Sequence, residues 1–217
     1  MTQSEENYLK IIYHLSLVSK TEIATNSIAE KMETKASSVT DMLKKLAEKK
    51  LVSYQKYQGV SLTETGLLTA KMIVRKHRLW EVFLVDKLNF TWDEVHEIAE
   101  ELEHIKSDEL IDKLDEFLDY PSEDPHGDPI PDKNGKILKI EKQLLSDVEV
   151  NKKCICVGVK DSSTNFLQYL DKQKIALGSK IIILEKEPFD NSMTIEIKKT
   201  KVLISNKIAC NIFIKKV

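Results

Sequence analysis

Residues 36–63 read ASSVTDMLKKLAEKKLVSYQKYQGVSLT, and the change of rhythm halfway along decides how the chain folds. Up to Lys50 the apolar residues Val39, Met42, Leu43 and Leu46 recur at helical spacing and form one stripe. Ser37, Ser38, Thr40, Asp41, Lys44 and Lys45 lie on the rest of that helix. Beyond it, β-rich runs flank Gln58-Gly59, the composition of a short hairpin. Upstream, Ser4–Val18 carries Tyr8, Ile11, Ile12 and Leu15 at helical spacing. Thr25–Met32 reads as a short second helix, with Asn26 or Ser27 as the expected cap and a turn at Glu33–Lys35. Helix pair, tight turn and hairpin follow the order of a winged helix-turn-helix, expected over residues 1–74. In such a unit the second helix of the pair enters the major groove. Ser37, Ser38, Thr40, Asp41, Lys44 and Lys45 are therefore the candidate DNA-binding residues, with Lys56 on a hairpin lying along the backbone.

The next stretch, residues 75–132, is helical and acidic, with 18 Asp/Glu against 6 Lys/Arg. Thr63–Gly66 opens a long helix through Lys87, Thr91–Glu94 has the residues of a capping box, and Ser107 caps a third helix to about Leu118. Two of these helices carry polar residues at spacings normally given to leucine. His77 and Glu81 are four apart; His96, Glu100, Glu103 and His104 follow steps of four, three and one, so each set is expected on one face. Imidazole and carboxylate suit Mn, Fe, Zn or Ni, and two such faces can build one or two metal centres between them. The bland alternative is a set of structural His–Glu ion pairs with no metal. The apolar faces Leu79/Phe83/Leu84/Leu88 and Leu110/Leu114/Phe117 exceed what a lone helix could hide, so part of this surface is expected to meet a second copy of the chain in a homodimer.

Four prolines between Pro121 and Pro131 cannot continue a helix, so a structured turn and a linker are expected, the linker over 133–151. From about Lys152 the period becomes two. CICVGV, KIIILE, MTIEIK and IACNIFIKK read as strands and SSTNFLQYLDKQ as a helix, the pattern of a small β-barrel over 152–217. The fold class is thus mainly α with a β-barrel. Cys154 and Cys156 alternate inside one strand and, with Cys210, make an odd count without a C-x-x-C pair, so reduced, packed thiols are expected.

Residues 1–74 and 133–217 are net positive (10 Lys/Arg against 8 Asp/Glu, and 17 against 9), placing an acidic middle between two basic ends. That arrangement suits a cation in the centre and a polyanion at a flank. There is no apolar run of membrane-spanning length and MTQSEENYLK lacks the layout of a secretion signal, so a cytoplasmic location without membrane contact is expected. One E-x-x-H motif, Glu101–His104, falls short of the two that a helical di-metal enzyme needs, and H-E-x-x-H, G-x-S-x-G and phosphate-binding glycine loops are missing from the sequence. Neither catalysis nor a small organic substrate is expected.

RKHRLWE at 75–81, VHEIAEELEHIKSDEL at 95–110 and PHGDPIP at 125–131, together with the winged helix and the C-terminal barrel, resemble the diphtheria toxin repressor family of metal-dependent transcriptional regulators. The resemblance covers essentially the whole chain. It implies a homodimer that binds double-stranded operator DNA when loaded with divalent metal, with an SH3-like C-terminal domain. It also implies a primary metal site matching Asn7, Glu100, Glu103 and His104, and an ancillary site matching His77, Glu81 and His96. In long members the barrel completes the ancillary site; those positions fall here at Ser162 and Asn165, with Asp161 close enough to substitute. Iron-type members have Cys and Met where this chain has Glu100 and Asn7. Loss of both sulfur donors favours Mn²⁺ over Fe²⁺ on ligand hardness.

Overall fold

The computed structural model describes residues 1–19, 21–138 and 141–216. Helix α1 spans Gln3–Val18, and its start is set by a reciprocal cap: Glu5 N donates to Thr2 Oγ1 (3.3 Å) while Thr2 N donates to Glu5 Oε2 (3.0 Å). Helices α2 (Thr25–Lys31) and α3 (Ala36–Glu48) follow, then strands β1 (Val52–Gln55) and β2 (Gly59–Leu62). Ala24, rather than Asn26 or Ser27, occupies the cap position of α2; both polar residues lie inside its first turn and make no cap bond. The wing is antiparallel with Val52 opposite Leu62, and Ile23 adds an isolated bridge to Val60. Leu9 and Ile12 of α1, Ile28 of α2, Val39, Leu43 and Leu46 of α3 and Val60 of β2 are fully buried in one core. The periodic stripe read from the sequence is what faces inward.

Helix α4 (Glu64–Leu88) leaves this core and enters the next. Ile73 and Val74 belong to the winged-helix core, whereas Leu79, Trp80 and Val82 pack with Ala99 of α5 (Val95–Leu102) and with Ile111 and Leu114 of α6 (Asp108–Phe117). Thr91 donates to Glu94 from both its N–H (3.1 Å) and its hydroxyl (2.7 Å), yet α5 begins only at Val95. The expected capping box closes a turn ahead of the helix instead. The proline-rich segment is pinned to α4, because the guanidinium groups of Arg75 and Arg78 donate to the carbonyls of Pro131 and Pro129.

The C-terminal sheet has the order β3-β8-β4-β5-β6-β7, all antiparallel: β3 Gln143–Leu144, β4 Lys153–Val159, β5 Lys180–Lys186, β6 Met193–Ile197, β7 Thr200–Ile204 and β8 Ile212–Lys216. Helix α7 (Thr164–Lys172) and the short α8 (Asn206–Ala209) complete it. Described residues of the stretch 133–151, expected as a linker, belong to the flanking units. Ile137 packs on the winged-helix core, β3 pairs with β8, and Leu145 and Val148 are buried in the C-terminal core. Apolar side chains find partners even where prolines end regular structure. Cys154 and Cys156 both face that core, and burial pushes each thiol up to about 11, so they are protonated packing groups.

Candidate metal centre

The centre is built where α5 lies against α4. His77 and Glu81 occupy successive turns of α4 and are both buried, so each must find its polar partners inside the protein. His77 Nδ1 lies 2.7 Å from Glu103 Oε2, and its Nε2 is 3.0 Å from Glu81 Oε1 and 3.2 Å from His96 Nδ1. Burial opposes a charge on this ring, but the hydrogen bonds to Glu103 and Glu81 overcome it and hold the His77 pKa at about 9. Burial likewise works against ionised Glu81 and Glu103. The imidazoles of His126, His77 and His96 nevertheless keep Glu81 well below the usual carboxylate range, and His77 with Lys10 keeps Glu103 low.

Three donor groups converge among the described residues, each with ligand atoms within 4.8 Å of one another: His77/Glu81/His96, His77/Glu100/Glu103 and Glu81/Asp124/His126. The first unites the three residues expected at the ancillary site. The second holds two residues of the expected primary site but draws its imidazole from His77, not His104. Helix α5 ends at Leu102 with Glu103 at its C-cap, and His104 lies just past that end. Its Nδ1 instead meets Glu6 Oε2 on α1 at 2.6 Å. The helix thus stops two residues short of His104, whose Nε2 still lies 4.0 Å from Glu103 Oε1. Asn7 Oδ1 and Glu103 Oε1 are both buried without a hydrogen-bond partner among the described residues.

Asp161 falls in none of these groups. Asp161 Oδ1 accepts from Ser163 N at 2.9 Å, closing the loop ahead of α7, and the Ser162 and Asn165 side chains are exposed. Two further donors, His126 and Asp124 of the proline-rich segment, stand beside Glu81. His126 Nδ1 is 3.7 Å from Glu81 Oε1, its Nε2 donates to the Trp92 carbonyl at 2.8 Å, and its backbone N–H donates to Asp124 Oδ1 at 2.8 Å. Burial would discharge His126, but Glu81 holds its pKa at about 9; Asp124, buried beside Glu81, is pushed up to about 6. Helical spacing could not disclose this pair, because it arrives from a proline-rich turn some 40 residues beyond α4. The signal available was the isolated histidine in PHGDPIP.

On α3, Ser37, Ser38, Asp41, Lys44 and Lys45 are exposed, while half-buried Thr40 turns its hydroxyl back to the Ala36 carbonyl at 2.9 Å. Lys44 lies 3.3 Å from Asp41, and exposed Lys56 on the wing lies over the Tyr57 ring at 4.9 Å.

Three family models tile the chain: the N-terminal DNA-binding domain of iron-dependent repressors over 1–60, their metal-binding and dimerisation domain over 63–132, and the FeoA domain over 143–216. A solved manganese-dependent transcriptional repressor in complex with manganese superposes with a TM-score of 0.86 at 32% identity, covering 98% of this chain and all of the other. The chain belongs to the diphtheria toxin repressor family. The HTH-type transcriptional regulator MntR of Oceanobacillus iheyensis is 33% identical over 123 residues, 57% of this chain and 82% of its own length. A Chlamydia trachomatis protein described as a probable metal transport system membrane protein is 47% identical over 91 residues; these are 42% of this chain but only 20% of that protein. As a family member the chain is a metal-dependent transcriptional repressor built of helical DNA-binding and dimerisation domains and a small antiparallel sheet domain. The donor chemistry fits such a metal. Buried carboxylates, imidazoles and two unpartnered buried oxygens lie at the junction of α1, α4 and α5, which is the oxygen-and-nitrogen set hard to borderline divalent ions accept. Among the described residues no helix is long and apolar enough to cross a membrane.

Proposed function

We propose that the chain is a repressor that binds operator DNA as a homodimer when loaded with Mn²⁺, with Fe²⁺ as the alternative, and that it controls genes for metal uptake in the cytoplasm. One observation carries this reading: the carboxylates of α5 meet α1, a helix of the DNA-binding unit, through buried polar groups. Glu100 and Glu103, with Asn7 from α1 and an imidazole, would hold the ion of the primary site. His77, Glu81 and His96, with Asp124 and His126 beside them, would hold an ancillary one. A bound divalent ion supplies the positive charge that lets several carboxylates share one site. Asn7 and Glu6 then tie α1 to the dimerisation helices, which restricts where α3 of each subunit can sit on a two-fold operator. The all-oxygen-and-nitrogen donor set, without a thiol or thioether, supports Mn²⁺. The manganese-dependent repressor that superposes over nearly the whole chain agrees with that preference.

A second reading has its own observation. His77, Glu81, His126, Lys10, Glu100 and Glu103 are already paired with one another, as structural ion pairs would be. Operator binding followed against free Mn²⁺ and, anaerobically, Fe²⁺ separates the two. A sensor gains roughly 1–3 kcal/mol of coupling or more, and Glu103→Ala abolishes the gain. DNA affinity indifferent to either metal, or Glu103→Ala matching wild type at limiting Mn²⁺, refutes the sensor. We read no catalytic role in these groups; turnover of a substrate by the metal-loaded protein would contradict that.

A further inference from the structure

Among the described residues, Lys10 is the one cation that α1 sends into the carboxylates of α5. Lysine stems usually carry their ammonium out to water, yet Lys10 is only 7% exposed. Its Nζ pairs with Glu100 Oε1 and lies 2.7 Å from Glu103 Oε2. Glu103 is 0% exposed, and a carboxylate so buried must be neutralised by its neighbours. Lys10 and His77 both converge on the same oxygen, Oε2, while Oε1 of that carboxylate has no hydrogen-bond partner among the described residues. Asn7 sits one helical turn before Lys10 on the same face of α1, and its own buried Oδ1 is also unpartnered. The ammonium therefore stands among the oxygens that the metal reading assigns to the primary site. A divalent cation and an ammonium cannot share those oxygens, because like charges at such separations repel strongly in a partly desolvated pocket.

We propose that Lys10 is a tethered counter-ion of the Glu100–Glu103 centre: it holds α1 against α5 in the metal-free chain, and a divalent cation must displace it. This rests on the reading of that centre as a metal site and adds a determinant of its threshold. The side chain sets how much metal is needed, since every binding event must expel a charge already in place. It also keeps the two domains partly joined beforehand, so metal completes a contact between helices already in register. Displacement requires no backbone change, for the four-carbon stem can carry the ammonium outward.

The full-length chain carrying Lys10→Met is compared with wild type by calorimetric titration with MnCl2 under anaerobic conditions and by thermal unfolding in EDTA. Lys10→Met removes the charge at similar length, Lys10→Arg retains it, and Lys10→Gln serves should the methionine variant not fold. Expected are at least tenfold tighter Mn²⁺ binding by Lys10→Met, a lower unfolding temperature for its metal-free form, and near wild-type behaviour for Lys10→Arg. Unchanged or weaker Mn²⁺ binding in the neutral variants, or an unchanged metal-free unfolding temperature, overturns the role of Lys10 and leaves the sensor standing if wild type binds metal. Mn²⁺ binding by the neutral variant but not by wild type supports Lys10 and refutes the sensor. Binding by neither overturns both.

Discussion

At Gly127 the backbone does something no other residue can do cheaply. Its φ is +80°, and a Cβ placed there would lie 2.0 Å from the Val157 carbonyl oxygen on β4. The neighbouring His126 carbonyl accepts from Val159 N at 2.9 Å, so the turn that delivers His126 to Glu81 is stitched directly to the C-terminal sheet. Gly127→Ala combines backbone strain with a steric clash and is expected to cost about 2 kcal/mol or more of stability. Thermal unfolding of the variant measures it; a loss below about 0.5 kcal/mol, the range of ordinary surface changes, would show that the turn relaxes freely. Single residues also mark where local pattern stops being informative. His77 and Glu81 could be paired from their spacing alone, but nothing local announces that His126 reaches Glu81 or that Lys10 reaches Glu103. Those contacts are made through space by side chains more than 40 residues away.

Helix α3 shows how much one element reveals by itself. Its buried stripe of Val39, Leu43 and Leu46 leaves Lys44 and Lys45 exposed on the same helix, as the periodicity of ASSVTDMLKKLAE requires. If this helix meets the phosphate backbone, Lys44→Ala with Lys45→Ala weakens binding to all DNA sequences. Removing each phosphate-bound lysine should lower the salt slope of log K by about 0.9. Fluorescence anisotropy across a salt series checks this; an unchanged slope would place both lysines off the DNA. Helix α5 behaves in the opposite way. Residues 96–104 continue a helical polar pattern, but the helix closes with the Glu103 N–H on the Ala99 carbonyl at 2.9 Å, and the last histidine turns to Glu6. Helix ends depend on capping and on tertiary partners, which periodicity does not encode.

Across the whole molecule, the apolar surface that α4 and α6 leave uncovered bears on assembly. Phe117 is 62% exposed, Leu88 51% and Leu110 40%, and Phe117 tilts against Phe83 with ring centroids 6.3 Å apart. Phe117→Asp in the proposed homodimer interface is expected to shift the protein toward monomer by at least tenfold in dissociation constant, read by light scattering across a dilution series. An undiminished dimer would move the interface elsewhere. The domains within one chain are also joined: Trp92 Nε1 donates to Asp171 Oδ2 at 3.1 Å and Gln168 Nε2 to Asp93 Oδ2 at 3.0 Å, linking the loop before α5 to α7. Amino-acid order alone determined helices α1 to α7, the wing, strands β4, β5 and β6 and the pairing of His77 with Glu81, because burial periodicity is a local property of the chain. Strand β7 was not read from it, and the run 208–216 expected as one strand begins in α8 before β8 starts at Ile212. Only the tertiary structure decided that His104 turns to Glu6, that His126 and Asp124 reach Glu81, that Lys10 enters the carboxylate pair and that 143–148 joins the barrel. Those outcomes depend on which buried charges and apolar side chains meet, and that is settled by packing between elements far apart in sequence.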